Sequence, residues 1–379
     1  MSPVHRPPVR VLVWTAVTLV VVVVAVLAWR SSDAAATSST TAAAPAPATG
    51  SPAAQLSEAW STSTDGPTTG DVVADARVLR TSTDGVALLD PATGTEAWHY
   101  TRAGARLCGA TTVDQLVVVL FSTGGRCNEL TALRAGTGER LWYRSVGFRA
   151  DATLTSTDRV VLAVSPTGLA TVDPTGNNLR WHQAAPEGCR FTAAAAGSTG
   201  VAALQQCGDQ LQAVLLDGFA GTQRWVVDLG AGPARLAGAD GFVGVVVGDE
   251  LRSLAPADGT LLGSTALPAD PDPDGPVLEV GLDATTLVWA RGTVLALDAG
   301  TGALRWSVAA SGLPAAGDAK AAPATVLVPE DGALVRRDAV TGAEVSRSTL
   351  PGALPAGART AVVGDVVVVS SPGRITAHR

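Results

Sequence analysis

Few side chains in this 379-residue chain could do chemistry, and their spacing points to structure before catalysis. Four cysteines stand at 108, 127, 189 and 207. They form two pairs, nineteen and eighteen residues apart, with no Cys-x-x-Cys and no nearby histidine pair, so disulfides are favoured over redox or zinc chemistry. The four histidines, His5, His99, His182 and His378, are scattered, and no role in proton transfer is assigned to them. The run Asp270-Pro271-Asp272-Pro273-Asp274-Gly275 could attract calcium through its carboxylates, but its alternation with proline reads more simply as a solvated connection. No serine nucleophile elbow, HExxH or phosphate loop is present, so catalysis would need residues assembled from separate loops.

Charge and hydropathy set the context for these groups. Residues 55–379 carry 24 basic against 33 acidic residues, a net of −9, which disfavours a nucleic-acid backbone as partner. Lys320 is the only lysine. Residues 11–29 form an uncharged apolar run, and nineteen residues at about 1.5 Å each span roughly 30 Å of hydrocarbon. Arg6 and Arg10 precede this run, which places residues 1–10 in the cytoplasm and the rest outside as a single-pass plasma-membrane protein. Ala34-Ala35-Ala36 offers a cleavage site for the alternative of a signal peptide, but the run exceeds the usual h-region of about 7 to 15 residues. Residues 30–54, almost entirely Ala, Ser, Thr and Pro, have nothing large to bury and are expected to form a disordered linker.

Self-similarity governs residues 55–379. Leu89-Asp90-Pro91-Ala92-Thr93-Gly94 leads to Trp98, Leu133 through Thr137-Gly138 to Trp142, and Leu297-Asp298 through Thr301-Gly302 to Trp306. Weaker copies place Asp173 before Trp181, Asp217 before Trp225, Ala255 before Gly263, and Asp338 with Thr341-Gly342 before Ser346. The anchors recur every 38 to 44 residues, the size of a four-stranded unit, here with strands A to D. Within each unit Asp accepts turn hydrogen bonds, Gly takes positive φ, and the Trp packs sideways. The Trp series, Trp60 included, therefore reads as inter-blade packing and not as an aromatic ligand cage. After seven motifs, residues 359–379 supply three more strands and the chain ends, while Ser57–Ser63 carries an orphan Trp60. The N-terminal strand should close an eighth blade. The expected fold is an all-β, eight-bladed propeller of four-stranded antiparallel blades behind one transmembrane helix. Cys108–Cys127 and Cys189–Cys207 then lie within blades two and four, which are not neighbours, so pairing within each repeat is the connectivity the ring makes easy.

The motif Ala-x-Asp-x-x-Thr-Gly-x-x-x-Trp, intact from Ala296 to Trp306, resembles the tryptophan-docking repeat of PQQ-like eight-bladed propellers, and the resemblance covers residues 55–379. That family includes quinoprotein dehydrogenases, the lipoprotein subunit of the outer-membrane barrel-assembly machine, and extracytoplasmic domains of bacterial kinases. The Arg-rich, Lys-poor composition looks like that of a high-GC Gram-positive bacterium. The resemblance implies the fold strongly and the function weakly. In its dehydrogenases an adjacent Cys-Cys disulfide commonly covers the quinone; no two cysteines are adjacent here. The expectation is a non-catalytic binding or assembly scaffold in the cell envelope, with no cofactor and a protein or cell-wall partner. The alternatives are a PQQ- and calcium-dependent oxidoreductase, or a sensor acting through a partner. The irregular B–C turns and inter-blade connections share one face, and Asp270, Asp272 and Asp274 are its candidate binding rim.

Overall fold

The strands follow the turn chemistry of the sequence: apolar, β-branched runs end at Gly, Asp or Thr, where the chain reverses. The computed structural model describes residues 8–30, 32–67, 70–157, 159–269, 275–315 and 325–379. Eight sheets, antiparallel but for one short pairing, succeed one another around a ring, and strand order matches chain order inside each except where strands from elsewhere in the chain join blades one and eight. In blade six, strands A to D are Leu278–Leu282, Thr285–Ala290, Thr293–Asp298 and Leu304–Ala309. The middle strands are buried on both faces; in blade one all five residues of Gly85–Leu89 are buried. The outer strands alternate, as Leu304–Ala309 does. The core lies between blades. One cluster joins Val86 and Leu88 of blade one to Val117 and Val119 of blade two and to Val368 and Ile375 of blade eight.

Closure is as expected. Strand β2 (Glu58–Ser63) pairs antiparallel with Arg374–His378, Glu58 opposite His378 and Ser63 opposite Arg374, and so completes the eighth blade. Blade seven departs from the pattern. Three of its strands form one sheet, while Gly312–Pro314 pairs in parallel with the innermost strand of blade eight. A side chain at Gly312 would lie 1.8 Å from the Ala358 carbonyl oxygen, so only glycine permits this approach. Ser311–Lys320 is therefore not simply a connection: its first residues form an inner strand, and 316–320 lie outside the described residues.

Helix α1 (Val9–Arg30) is exposed along its whole length and is long and apolar enough to cross a membrane. The segment expected to be a disordered linker instead takes an ordered course. After the short helix α2 (Asp33–Ala36), strand β1 (Thr37–Ser39) adds a fifth strand to the outer edge of blade one, with Thr37 opposite Arg102 and Ser39 opposite Tyr100. The chain then crosses the face of the ring. Thr40 N–H donates to the His99 carbonyl and Ala42 N–H to that of Thr137, and the Arg77 guanidinium donates to the Ala43 carbonyl. The reason is mainly backbone hydrogen bonding, with Ala42 alone of its residues packing against the core cluster of blades one, two and eight: Ala, Thr and Pro let this strap lie flat against the turns. Gly138, at φ +79°, has the Thr40 carbonyl oxygen where a Cβ would point.

Candidate functional site

The repeated turns occupy one face of the ring. In blade six one oxygen of Asp298 accepts from Gly300 N–H, Thr301 N–H and the Thr301 hydroxyl, and its other oxygen accepts from Arg305 at 2.6 Å. Asp90, Asp173, Asp217 and Asp338 make corresponding turns. Gly94, Gly302 and Gly342 take positive φ, and Thr93, Thr137 and Thr341 hydrogen-bond within their own turns. Arg305 and the turn donors of Thr301 hold the Asp298 carboxyl down at about 2, and the Ala220 N–H and then Arg224 do the same for Asp217. Both groups stabilise the fold above the ordinary aspartate range, and that contribution is lost as pH falls through about 2.

Each motif tryptophan docks on the next blade's turn. Its indole N–H donates to a carbonyl: Trp60 to Pro91, Trp98 to Ala135, Trp142 to Pro174, Trp181 to Gly218, Trp225 to Pro256 and Trp306 to Ala339. These rings are joints between blades.

The opposite face carries the B–C turns. Two hairpins there have long strands, Leu116–Thr123 with Arg126–Arg134 in blade two and Gly200–Cys207 with Gln210–Leu216 in blade four. Cys108–Cys127 and Cys189–Cys207 brace them from the innermost strands, with Cα–Cα distances of 5.8 and 4.2 Å. The four cysteines pair as the sequence implies. Asp270, Asp272 and Asp274 lie outside the described residues, so the acidic rim has no placement here.

The centre of the ring holds a cavity of about 590 Å³. It opens against blades four and five because their inner strands carry Ala195, Ala196, Gly197 and Gly238 where larger side chains would fill it. Asp71, Asp240, Glu279 and Arg359 line it. Glu279 accepts from Asp240 N–H at 2.7 Å while its second carboxylate oxygen is buried without a partner. Burial, then the Asp240 carboxylate, pushes the Glu279 carboxyl well above its ordinary value. Burial pulls the Arg359 guanidinium down, opposed by Asp71. Such a cavity suits a small polar solute. Among the described residues no three His, Cys, Asp or Glu side chains converge on a point that could hold a metal ion. This donor set does not fit a calcium-bound quinone.

Two features escaped the motif reading. His99, on the outer strand of blade one, holds the start of the strap, within hydrogen-bond distance of Ser38, Thr40 and Glu96. Beneath β1, buried Arg102 of blade one donates to Glu129 of blade two, which also accepts from the Tyr143 hydroxyl. Burial raises the Glu129 carboxyl, but Arg102, Tyr143 and Thr123 outweigh it and leave it below the ordinary range.

The family model described as outer membrane protein assembly factor BamB matches residues 34–188, 126–272 and 247–379, a span that begins before the strap and runs to the last residue. Three solved structures are similar to this chain. The computationally designed Ika8 protein is 15% identical with a TM-score of 0.57, over 86% of this chain and 99% of that one. Quinohemoprotein alcohol dehydrogenase ADHIIG from Pseudomonas putida HK5 is 13% identical with a TM-score of 0.50, over 86% and 76%. BamB from Moraxella catarrhalis is 17% identical with a TM-score of 0.48, over 86% and 99%. At such identities the likeness is one of fold alone. No curated protein matches the sequence.

Proposed function

This chain belongs to the propeller family described as outer membrane protein assembly factor BamB, and we propose that it is a membrane-anchored, extracytoplasmic scaffold that docks a protein or cell-wall partner and does no chemistry of its own. The observation that carries this reading is the difference between the two faces of the ring. On one face the short turns are consumed by Asp caps and tryptophan docking and are partly overlain by the strap. On the other, two disulfide-braced hairpins project from a rigid ring, the arrangement in which loops make specific contacts. Anchoring rests on α1, and the Arg6 and Arg10 that precede its apolar run favour a cytoplasmic N-terminus. Two disulfides suit the oxidising side of that membrane.

In this reading the partner spans blades four to six, where Asp270, Asp272 and Asp274 would form an acidic rim for a basic patch. The test is affinity capture with the full chain from detergent-solubilised membranes. Replacing the three aspartates by lysine should weaken capture of the recovered partner without altering melting. Capture that survives this, yet is lost on substituting the exposed Phe219 of the opposite face, would place the surface on the wrong side. Added PQQ and calcium should produce no dye reduction; reduction would favour a quinoprotein oxidoreductase instead.

A further inference from the structure

The leash between helix and ring is too short for the propeller to stand away from the membrane. Helix α1 has 22 residues, about 33 Å of rise against a hydrocarbon core of about 30 Å, so Arg30 falls at the interface. Only residues 31–36 separate it from β1, and four of them form α2. With α2 as one helical turn, two further residues bring the reach to at most about 13 Å. The headgroup layer takes up roughly 5 to 8 Å of that. The docking point is therefore held within about one Debye length of the lipid phosphates, where charge on the facing surface decides whether contact is attractive.

That docking point is the loop joining blades one and two, where Ala103 N–H donates to the Ala36 carbonyl. The same loop carries Arg106, which is 3.3 Å from Cys127 Sγ and 3.1 Å from the Asp151 carboxylate. It thus draws together the blade-two hairpin tip, with Arg126, and the outgoing connection, with Arg149. Both Arg126 and Arg149 are exposed, and neither guanidinium has a hydrogen bond or ion pair among the described residues. Asp65, Asp84 and Asp151 are acidic groups of this rim, and Asp151 is the one paired with Arg106. Arg126 and Arg149 are thus two exposed cations, unpaired among the described residues, on the part of the ring that the leash brings to the bilayer.

We propose that Arg106, Arg126 and Arg149 form a docking rim for anionic lipid headgroups of the membrane that α1 spans. This rests on the anchored reading above. Contact at blade two tilts the ring on its edge and leaves the blade-four hairpin of the same face free for a partner.

The test uses the full chain in nanodiscs of phosphatidylcholine alone or with a third phosphatidylglycerol, with p-benzoylphenylalanine in place of Ala150, beside Arg149. Irradiation should yield lipid adducts several-fold more abundant in the anionic discs, about fivefold for each arginine in contact. High salt or R126E/R149E should abolish the difference, and R126K/R149K, which keeps the charge, should retain it. The same probe replacing Phe219 on the opposite face should give few adducts in either lipid. Equal yields in the two lipids, or a difference that survives R126E/R149E, would overturn the docking while leaving the anchor intact. Release of the chain from membranes by alkaline carbonate would remove the anchor itself, and the docking with it.

Discussion

Replacing Trp98 by alanine tests whether the tryptophans are joints or ligand contacts. Its side chain is completely buried, and its indole N–H donates to the Ala135 carbonyl of the next blade at 2.8 Å. A buried Trp removes about 200 Å² from water, worth about 5 kcal/mol at ~25 cal/mol per Å². Residual compactness of the denatured chain lowers this to about 3 to 4 kcal/mol, and the orphaned carbonyl adds about 1. Trp98→Ala should therefore cost about 4 kcal/mol. Trp98→Phe, which keeps most of the ring contact, should cost about 1 to 2. Trp60, only partly buried on Gly94, should cost less than Trp98 when truncated. Urea unfolding of the full chain in detergent, followed by far-ultraviolet circular dichroism, supplies the numbers. A loss below about 1 kcal/mol for Trp98→Ala would refute the joint, since a ligand cage can be emptied at little cost to the fold.

C108S/C127S should cost about 3 kcal/mol, the chain-entropy value for a loop of this size, and should open the blade-two hairpin to trypsin at Arg126. Unchanged melting and an unchanged digest would contradict a bracing role. Glu279→Gln should show the opposite of the usual carboxylate trend: the folded state keeps a proton that the unfolded chain releases above about 4.5, so wild-type stability falls relative to the variant as pH rises from there, by at most about 1.4 kcal/mol per pH unit. Parallel pH profiles of the two proteins would show that Glu279 titrates normally.

The ring was legible because its signal is local and repeated. Asp298, Thr301, Gly302 and Trp306 lie within nine residues, and each does in its own turn or on the next blade what its type allows. Where the motif decays, the structure adapts in ways the period cannot express. Blade five has Ala255 at the anchor and caps its turn with Asp258 on Thr260, and Gly263 stands where a tryptophan is expected and faces Gly302 closely. The strap was not legible because its Ala/Ser/Thr/Pro composition has no hydrophobic period. Its order comes from main-chain bonds to residues about 60 and 95 positions away, His99 and Thr137. The cavity charges were hidden for the same reason: Asp71, Glu279 and Arg359 come from three distant stretches that only the closed ring brings together.

The strap also bears on how the ring is sealed. The closing pair joins Ser57 to Arg379, a separation of 322 residues, so a free N-terminal strand would pay the loop entropy of nearly the whole chain. The strap's own partners lie in blades one and two, the first to be completed. It then continues past the A–B turn of blade eight, where the Thr49 carbonyl oxygen lies close to Gly364, and reaches Thr349, whose N–H donates to the Ala54 carbonyl. Docking the strap early leaves β2 on a tether of fewer than twenty residues beside the gap that blade eight must fill. On a tether of that length the effective concentration is set by the strap and not by the 322 residues between the paired ends. Two unlike features thereby have one cause: a segment with no large hydrophobic residue between α2 and Leu56 is ordered because its backbone carries the chain from α1 to the seam, and the seam can consist of a single strand because that strand is already in place.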